Sequence, residues 1–123
     1  MRRRVLLLDD EPEIVFVAAE YLEALGWDAL RCVTLAEAET AVARANALDA
    51  AVLDWVLSGS SARSLVGRLR ARHPRCRVLL ATGLGSDAVD ERELGIPVIR
   101  KPYTMHALAS RLDQLVGDQA GAR

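Results

Sequence analysis

Four apolar runs of this 123-residue chain end in polar groups of complementary chemistry. Val5 to Leu8 ends at Asp9, Asp10 and Glu11. Ala50 to Leu53 ends at Asp54, and Val78 to Ala81 ends at Thr82 and Gly83. Val98 and Ile99 lead, past Arg100, to Lys101 and Pro102. If the runs that end at Asp9 and at Asp54 lie side by side, Asp9, Asp10 and Asp54 converge, which is unfavourable unless something cationic sits among them. Lys101 is one such cation and a divalent metal the other. Carboxylates without His or Cys suit a hard ion, and a site with few protein oxygens suits Mg²⁺, which keeps several waters, better than Ca²⁺. An open-sided metal, a lysine point charge and a threonine hydroxyl around one carboxylate stabilise charge on the equatorial oxygens of a phosphoryl group in transfer. Asp54 is then the nucleophile and an acyl phosphate the product.

Taken singly, each feature has a plainer reading. The acidic run reads equally as a helix cap that complements the dipole. Asp54 and Thr82-Gly83 read as turn residues, and Lys101-Pro102 as a loop with a solvated lysine. Together, in this order and at these positions, they favour a site. The remaining polar residues carry less. His73 and His106 lack partners at ligand spacing and read as surface histidines. Ser58, Ser60 and Ser61 lack the setting of a hydrolase nucleophile. Trp27 reads as core and Trp55 as pocket-rim packing. Cys32 and Cys76 have no CxxC spacing and read as free thiols of a reducing cytosol.

The elements that must position these groups follow from the apolar pattern. Strand runs at Val5–Leu8, Ala29–Val33, Ala50–Leu53, Val78–Ala81 and Val98–Ile99 alternate with helical or loop stretches, which implies a parallel sheet in an α/β fold. Sites of such sheets lie at the carboxyl ends of the strands. A helix after Pro12 has Ile14, Val17, Ala18, Tyr21, Leu22 and Leu25 at three-and-four spacing, with Gly26 as its stop. Thr34 and Glu37 make a capping box for a second helix, with Leu35, Ala38, Ala41, Val42 and Ala45 on its apolar face. A third, with Ala62, Leu65, Val66 and Leu69, ends before Pro74. The last opens on Thr104 as N-cap, and its apolar face includes Met105, Leu108, Leu112 and Leu115. The crossover from Gly83 to Gly95 holds few apolar residues, so any helix there should be short.

Residues 1–117 are expected to form one domain, with 118–123 a short flexible tail. Sixteen basic and seventeen acidic residues leave a formal net charge of -1, which gives no global field for nucleic acid or an anionic membrane. The apolar run after Met1 is too short for a signal peptide, and no segment has the apolar length of a membrane span. A soluble, cytoplasmic protein is expected.

The set Asp9-Asp10-Glu11, Asp54, Ala81-Thr82-Gly83 and Lys101-Pro102-Tyr103 resembles the receiver domain of two-component response regulators over essentially the whole chain. The resemblance implies a flavodoxin-like, doubly wound five-stranded parallel sheet in order 2-1-3-4-5 with helices on both faces. It implies a signalling phosphoacceptor rather than an enzyme in its own right, catalysing only its own Mg²⁺-dependent phosphorylation and dephosphorylation. Asp54 would take phosphate from a histidine kinase or phosphotransfer protein. Asp10, Asp54 and the backbone carbonyl of Val56 would ligate Mg²⁺, with Asp9 acting through water. Thr82, Lys101 and the amide of Gly83 would hold the phosphoryl oxygens, and the Lys101-Pro102 bond would be cis.

The sequence departs from the family pattern in three places, one of them the segment from Thr82 to Lys101, which is shorter than typical and glycine-rich at its start. Leu57 and Ser58 replace the usual Met-Pro pair after the acceptor, with Gly59 early, so that loop should differ in shape. Val98 stands where an aromatic ring usually swings inward, which breaks the familiar threonine-aromatic coupling. Val56 and Leu84 flank the path of the attacking water and cannot orient it, so self-hydrolysis should be slow. Ala81-Thr82-Gly83-Leu84 is similar to the Phe-Ala-Thr-Gly motif of a subgroup of stand-alone receivers with an unusual fourth helix, with Leu80 in place of the Phe. A stand-alone receiver acting on a downstream protein is the leading expectation, with a homodimer through the last helix compatible with it. The alternatives are the receiver part of a hybrid histidine kinase and a phosphorylation-independent pseudo-receiver that works by binding.

Overall fold

The computed structural model of the chain describes residues 2–57, 60–61, 63–83 and 95–121. In chain order these form β1 (Arg4–Leu8), α1 (Pro12–Ala24), β2 (Asp28–Cys32), α2 (Leu35–Arg44), β3 (Ala50–Asp54), β4 (Val56–Leu57), β5 (Ser60–Ser61), α3 (Arg63–Arg72), β6 (Arg77–Thr82), β7 (Val98–Arg100) and α4 (Met105–Gly121). Five strands make one sheet in the order β2-β1-β3-β6-β7, every pairing parallel. Counting those five alone gives the expected 2-1-3-4-5. The residues after Asp54 fold into a separate antiparallel hairpin, β4 with β5, so the loop there has a shape of its own. Ser58, Gly59, Leu84 and the fourth crossover from 84 to 94 lie outside the described residues.

Strand alternation sends side chains to two cores. Leu6, Leu8, Leu53 and Leu80 pack with Val42 of α2 and Leu65 and Leu69 of α3. Leu7, Val52 and Leu79 pack on the other side with Val15 and Leu22 of α1 and Leu108 and Leu112 of α4. A sheet covered on both faces needs apolar residues at every central position, which is why β1 and β3 read as unbroken apolar runs.

The buried face of α1 differs from the one its spacing predicted. Val15, Ala18, Ala19 and Leu22 are buried, whereas Val17 and Leu25 are half exposed, as is Phe16. Residues 14 to 19 are all apolar, so periodicity alone does not select a face. Packing does, and the two small alanines face the sheet. The helix stops as expected: Gly26 is left-handed at φ 101°, its amide donates to the Glu23 carbonyl at 3.1 Å, and the Trp27 amide donates to that of Leu22 at 3.0 Å.

At α2 the Thr34 hydroxyl accepts the Glu37 amide at 3.1 Å, while the Glu37 carboxylate takes the amide of Val33, one residue before the cap, at 2.8 Å. Thr104 caps α4 by accepting the Ala107 amide at 3.0 Å, and the helix continues over 118–121, the first residues of the segment read as a tail.

His73 is not a surface residue. It is buried, with Nε2 2.9 Å from the Val42 carbonyl, which also accepts from Arg72 Nε at 3.2 Å. Val42 lies in the last turn of α2, where carbonyls lack helical partners, so the end of α3 caps the end of α2. His106 is exposed, as expected. Cys32 and Cys76 are free. Burial, helped by the charge of Glu37 and of Asp49 respectively, pushes their thiols up to about 11 and about 12, far from the reactive thiolate range. No helix among the described residues is long and apolar enough to cross a membrane.

Candidate functional site

Register alone brings the polar strand ends level. Leu8 pairs with Leu53, so Asp9 and Asp54 follow on neighbouring strands. Asp54 pairs with Ala81, which places Thr82 one step beyond, and Thr82 pairs with Arg100, which places Lys101 one step beyond that. Backbone bonds extend the ladders past the last paired residues: Asp9 N to the Cys32 carbonyl at 3.2 Å, Trp55 N to Ala81 at 2.9 Å and Lys101 N to Thr82 at 2.7 Å. The Lys101-Pro102 bond is cis, as the resemblance implied.

The three aspartates meet. One carboxylate oxygen from each of Asp9, Asp10 and Asp54 lies within 4.8 Å of the others, with Asp9 and Asp54 buried and Asp10 exposed. Lys101 Nζ reaches into this cluster, 2.7 Å from Asp9 Oδ2 and 3.7 Å from Asp54 Oδ1. The other oxygen of Asp9 accepts the Glu11 amide at 3.0 Å. Both oxygens of Asp9 are thus engaged within the protein. An all-oxygen set of this span fits a divalent cation with incomplete protein coordination.

Burial raises the Asp54 carboxyl to about 6, an effect opposed by the charge of Lys101 and reinforced by Asp9 and Asp10. For Lys101, burial acts to lower the ammonium, but its hydrogen bond to Asp9 and the charges of Asp54 and Asp9 outweigh it and the net direction is upward. The lysine therefore stays charged while Asp54 sits in surroundings that disfavour its charge. Such a carboxylate gains from an additional cation.

Thr82 is buried, and its hydroxyl has no hydrogen-bond partner among the described residues. A buried unpaired hydroxyl is unfavourable, and it gains when an acceptor comes within reach. Gly83, next in the chain, is exposed, and a Cβ built there would meet nothing within 4 Å. Trp55 packs half-buried against the α2–α3 core, at 5.4 Å from the guanidinium of Arg63. Val98 is half-buried against the same core, so an aliphatic side chain stands at the position where the family resemblance puts a ring.

Two features beside the centre go unread in the sequence. The Tyr103 hydroxyl is raised by burial first and then by Asp9, so the acidic cluster reaches it. An apolar groove of about 410 Å³ runs along Ile14, Lys101, Pro102, Tyr103 and Met105. Its walls come from opposite ends of the chain, and nothing local in either segment marks it.

The comparisons with known proteins bear on the fold. No protein-family model matches the chain. The probable transcriptional regulatory protein TcrX of Mycobacterium tuberculosis is 30% identical over 119 residues, 91% of this chain and 49% of that protein. The chain spans about half the length of that relative. Among solved structures, a CheY-like response regulator receiver domain protein of Methanospirillum hungatei is 20% identical, covers 100% of both chains and superposes with a TM-score of 0.87. A response regulator of Burkholderia pseudomallei, solved with a phosphorylated aspartic acid, calcium ion and citrate, is 22% identical over 98% of this chain and 72% of that one, TM-score 0.79. The fold is that of the response-regulator receiver domains. At that level the resemblance read from the sequence is borne out.

Proposed function

We propose that the chain is a phosphoryl-accepting receiver of two-component signal transduction, with residues 1–117 as the receiver domain and Asp54 as the acceptor. The observation that carries this reading is the placement of Lys101 between Asp9 and Asp54, beside a third carboxylate and a buried threonine hydroxyl with no partner among the described residues. Asp10, Asp54 and the Val56 carbonyl would hold Mg²⁺, with Asp9 acting through water, and the bound ion would offset charge on the phosphoryl oxygens. An Asp54 oxygen attacks phosphorus of a phosphohistidine on a partner kinase or phosphotransfer protein. The O–P bond forms as the P–N bond breaks, and the imidazole leaves. Lys101 exchanges its contacts with Asp9 and Asp54 for a phosphoryl oxygen, while the Thr82 hydroxyl and the Gly83 amide donate to the others. The cell compartment that fits this chemistry is the cytoplasm, and the recipient of the signal is a downstream protein rather than nucleic acid or membrane. The domain acts as a signalling phosphoacceptor, and its catalysis is limited to its own phosphorylation and dephosphorylation.

Intact-protein mass after incubation with Mg²⁺ and acetyl phosphate tests the reading. One phosphoryl adduct that requires both Mg²⁺ and Asp54 is expected. An adduct that survives Asp54→Asn, or forms equally in a chelator, would overturn the assignment.

A further inference from the structure

Charge is separated along this chain far more sharply than its near-zero net charge suggests. From residue 5 to residue 30 there is no lysine or arginine, while from 55 to 86 there is no acid. The fold puts the helices of the two segments on opposite sides of the sheet, because α1 belongs to one core and α3 to the other. The outer face of α1 carries Glu13 and Glu20 on either side of Phe16 and Val17, which are 55% and 49% exposed. Arg31 meets this face, at 5.4 Å over the Phe16 ring and 4.0 Å from Glu20. Across the molecule, Arg70, Arg75 and Arg77 are exposed and make no side-chain ion pair or hydrogen bond among the described residues, while Arg68 pairs with Glu39.

We propose that the acidic, apolar-centred face of α1 in one copy docks on the arginine face of α3 and the following Arg75–Arg77 segment in a second copy. The occupant follows from charge complementarity: among the described residues the acidic α1 face, where Arg31 meets Glu20 and Phe16, and the basic face of Arg70, Arg75 and Arg77 belong to the same chain, and each supplies the charge the other lacks. Arginine suits the partner role, since its planar fork binds carboxylates bidentately and stacks on rings such as Phe16. Because the two faces lie on opposite sides of the sheet, the contact is head-to-tail and produces short chains of molecules rather than a closed two-fold dimer. Exposed ion pairs are individually weak, so association belongs to low ionic strength. The screening length falls from about 30 Å at 10 mM salt to about 3 Å at 1 M.

Sedimentation velocity on the full chain over a concentration series tests this independently of the phosphoryl chemistry. At low salt the weight-average mass should rise with concentration and return to that of the monomer at high salt. Arg70→Glu with Arg75→Glu should abolish the rise, as should Glu13→Arg with Glu20→Arg. The four substitutions combined in one chain restore the wild-type net charge and exchange the two faces, and should recover association to within about twofold of wild type. Thermal melts verify that each variant is folded. A monomer at every concentration in low salt would overturn the proposal. So would association that either charge reversal leaves intact, or that the fourfold exchange fails to recover in a folded protein.

Discussion

Replacing Asp54 by asparagine should make the metal-free protein more stable at neutral pH, although the residue is central to the proposed function. The carboxyl is buried and titrates at about 6 rather than the ordinary 3.8. Below about pH 4 both folded and unfolded chains hold the proton, and the group contributes nothing to the pH dependence. Between about 4 and 6 the folded chain keeps a proton that the unfolded chain has lost, so stability falls as pH rises. Above 6 the whole penalty is present. A difference of about two powers of ten in proton affinity, at about 1.4 kcal/mol each, sets a ceiling of roughly 3 kcal/mol. Relaxation around a charge that still has Lys101 at 3.7 Å brings the expected gain to about 1–2 kcal/mol. Urea unfolding in a chelator at neutral pH should show a higher midpoint for Asp54→Asn at unchanged slope, and the gap should close toward pH 4. Millimolar Mg²⁺ should reverse the order, since the ion stabilises the wild type by mass action and loses a carboxylate ligand in the variant. If Asp54→Asn were less stable than wild type at neutral pH without metal, or if the gap were the same at pH 4 and pH 7, the electrostatic reasoning would be wrong.

Four further outcomes are expected. Lys101→Met leaves Asp9 buried without its 2.7 Å partner and should lower stability by about 2–4 kcal/mol in a chelator, with part of the loss recovered by Mg²⁺. Thr82→Val removes a buried hydroxyl that has no partner among the described residues, so its melting temperature should match or exceed that of wild type while acetyl-phosphate labelling slows by about tenfold or more. Val56→Asn should shorten the lifetime of the phosphorylated protein in a mass time course, because an amide can orient the attacking water where valine cannot. Gly26→Ala should cost about 1 kcal/mol or more in urea unfolding, entirely from the left-handed backbone at φ 101°, since a Cβ there meets nothing within 4 Å.

The sequence by itself determined the strands, their polar ends and the chemistry those ends could support. Apolar runs broken by Asp9, Asp54, Thr82 and Lys101 are legible because a sheet buried on both faces tolerates polar residues only where the strands leave it. The caps at Thr34 and Thr104 and the stop at Gly26 were equally legible, since each is a local bond or a local dihedral. Tertiary structure decided what depends on distant partners. The face of α1 was open in a stretch of six apolar residues, and contact with the sheet chose Val15 and Ala19 over Val17 and Leu25. His73 carries no local sign that it is buried, because the carbonyl it caps is 31 positions away on another helix. The engagement of both Asp9 oxygens, the burial of the Thr82 hydroxyl and the elevated Asp54 carboxyl likewise arise only when three strand ends and a loop close on one another. Residue types set which chemistry was available, and parallel register across 92 positions of chain between Asp9 and Lys101 set the distances that make it possible.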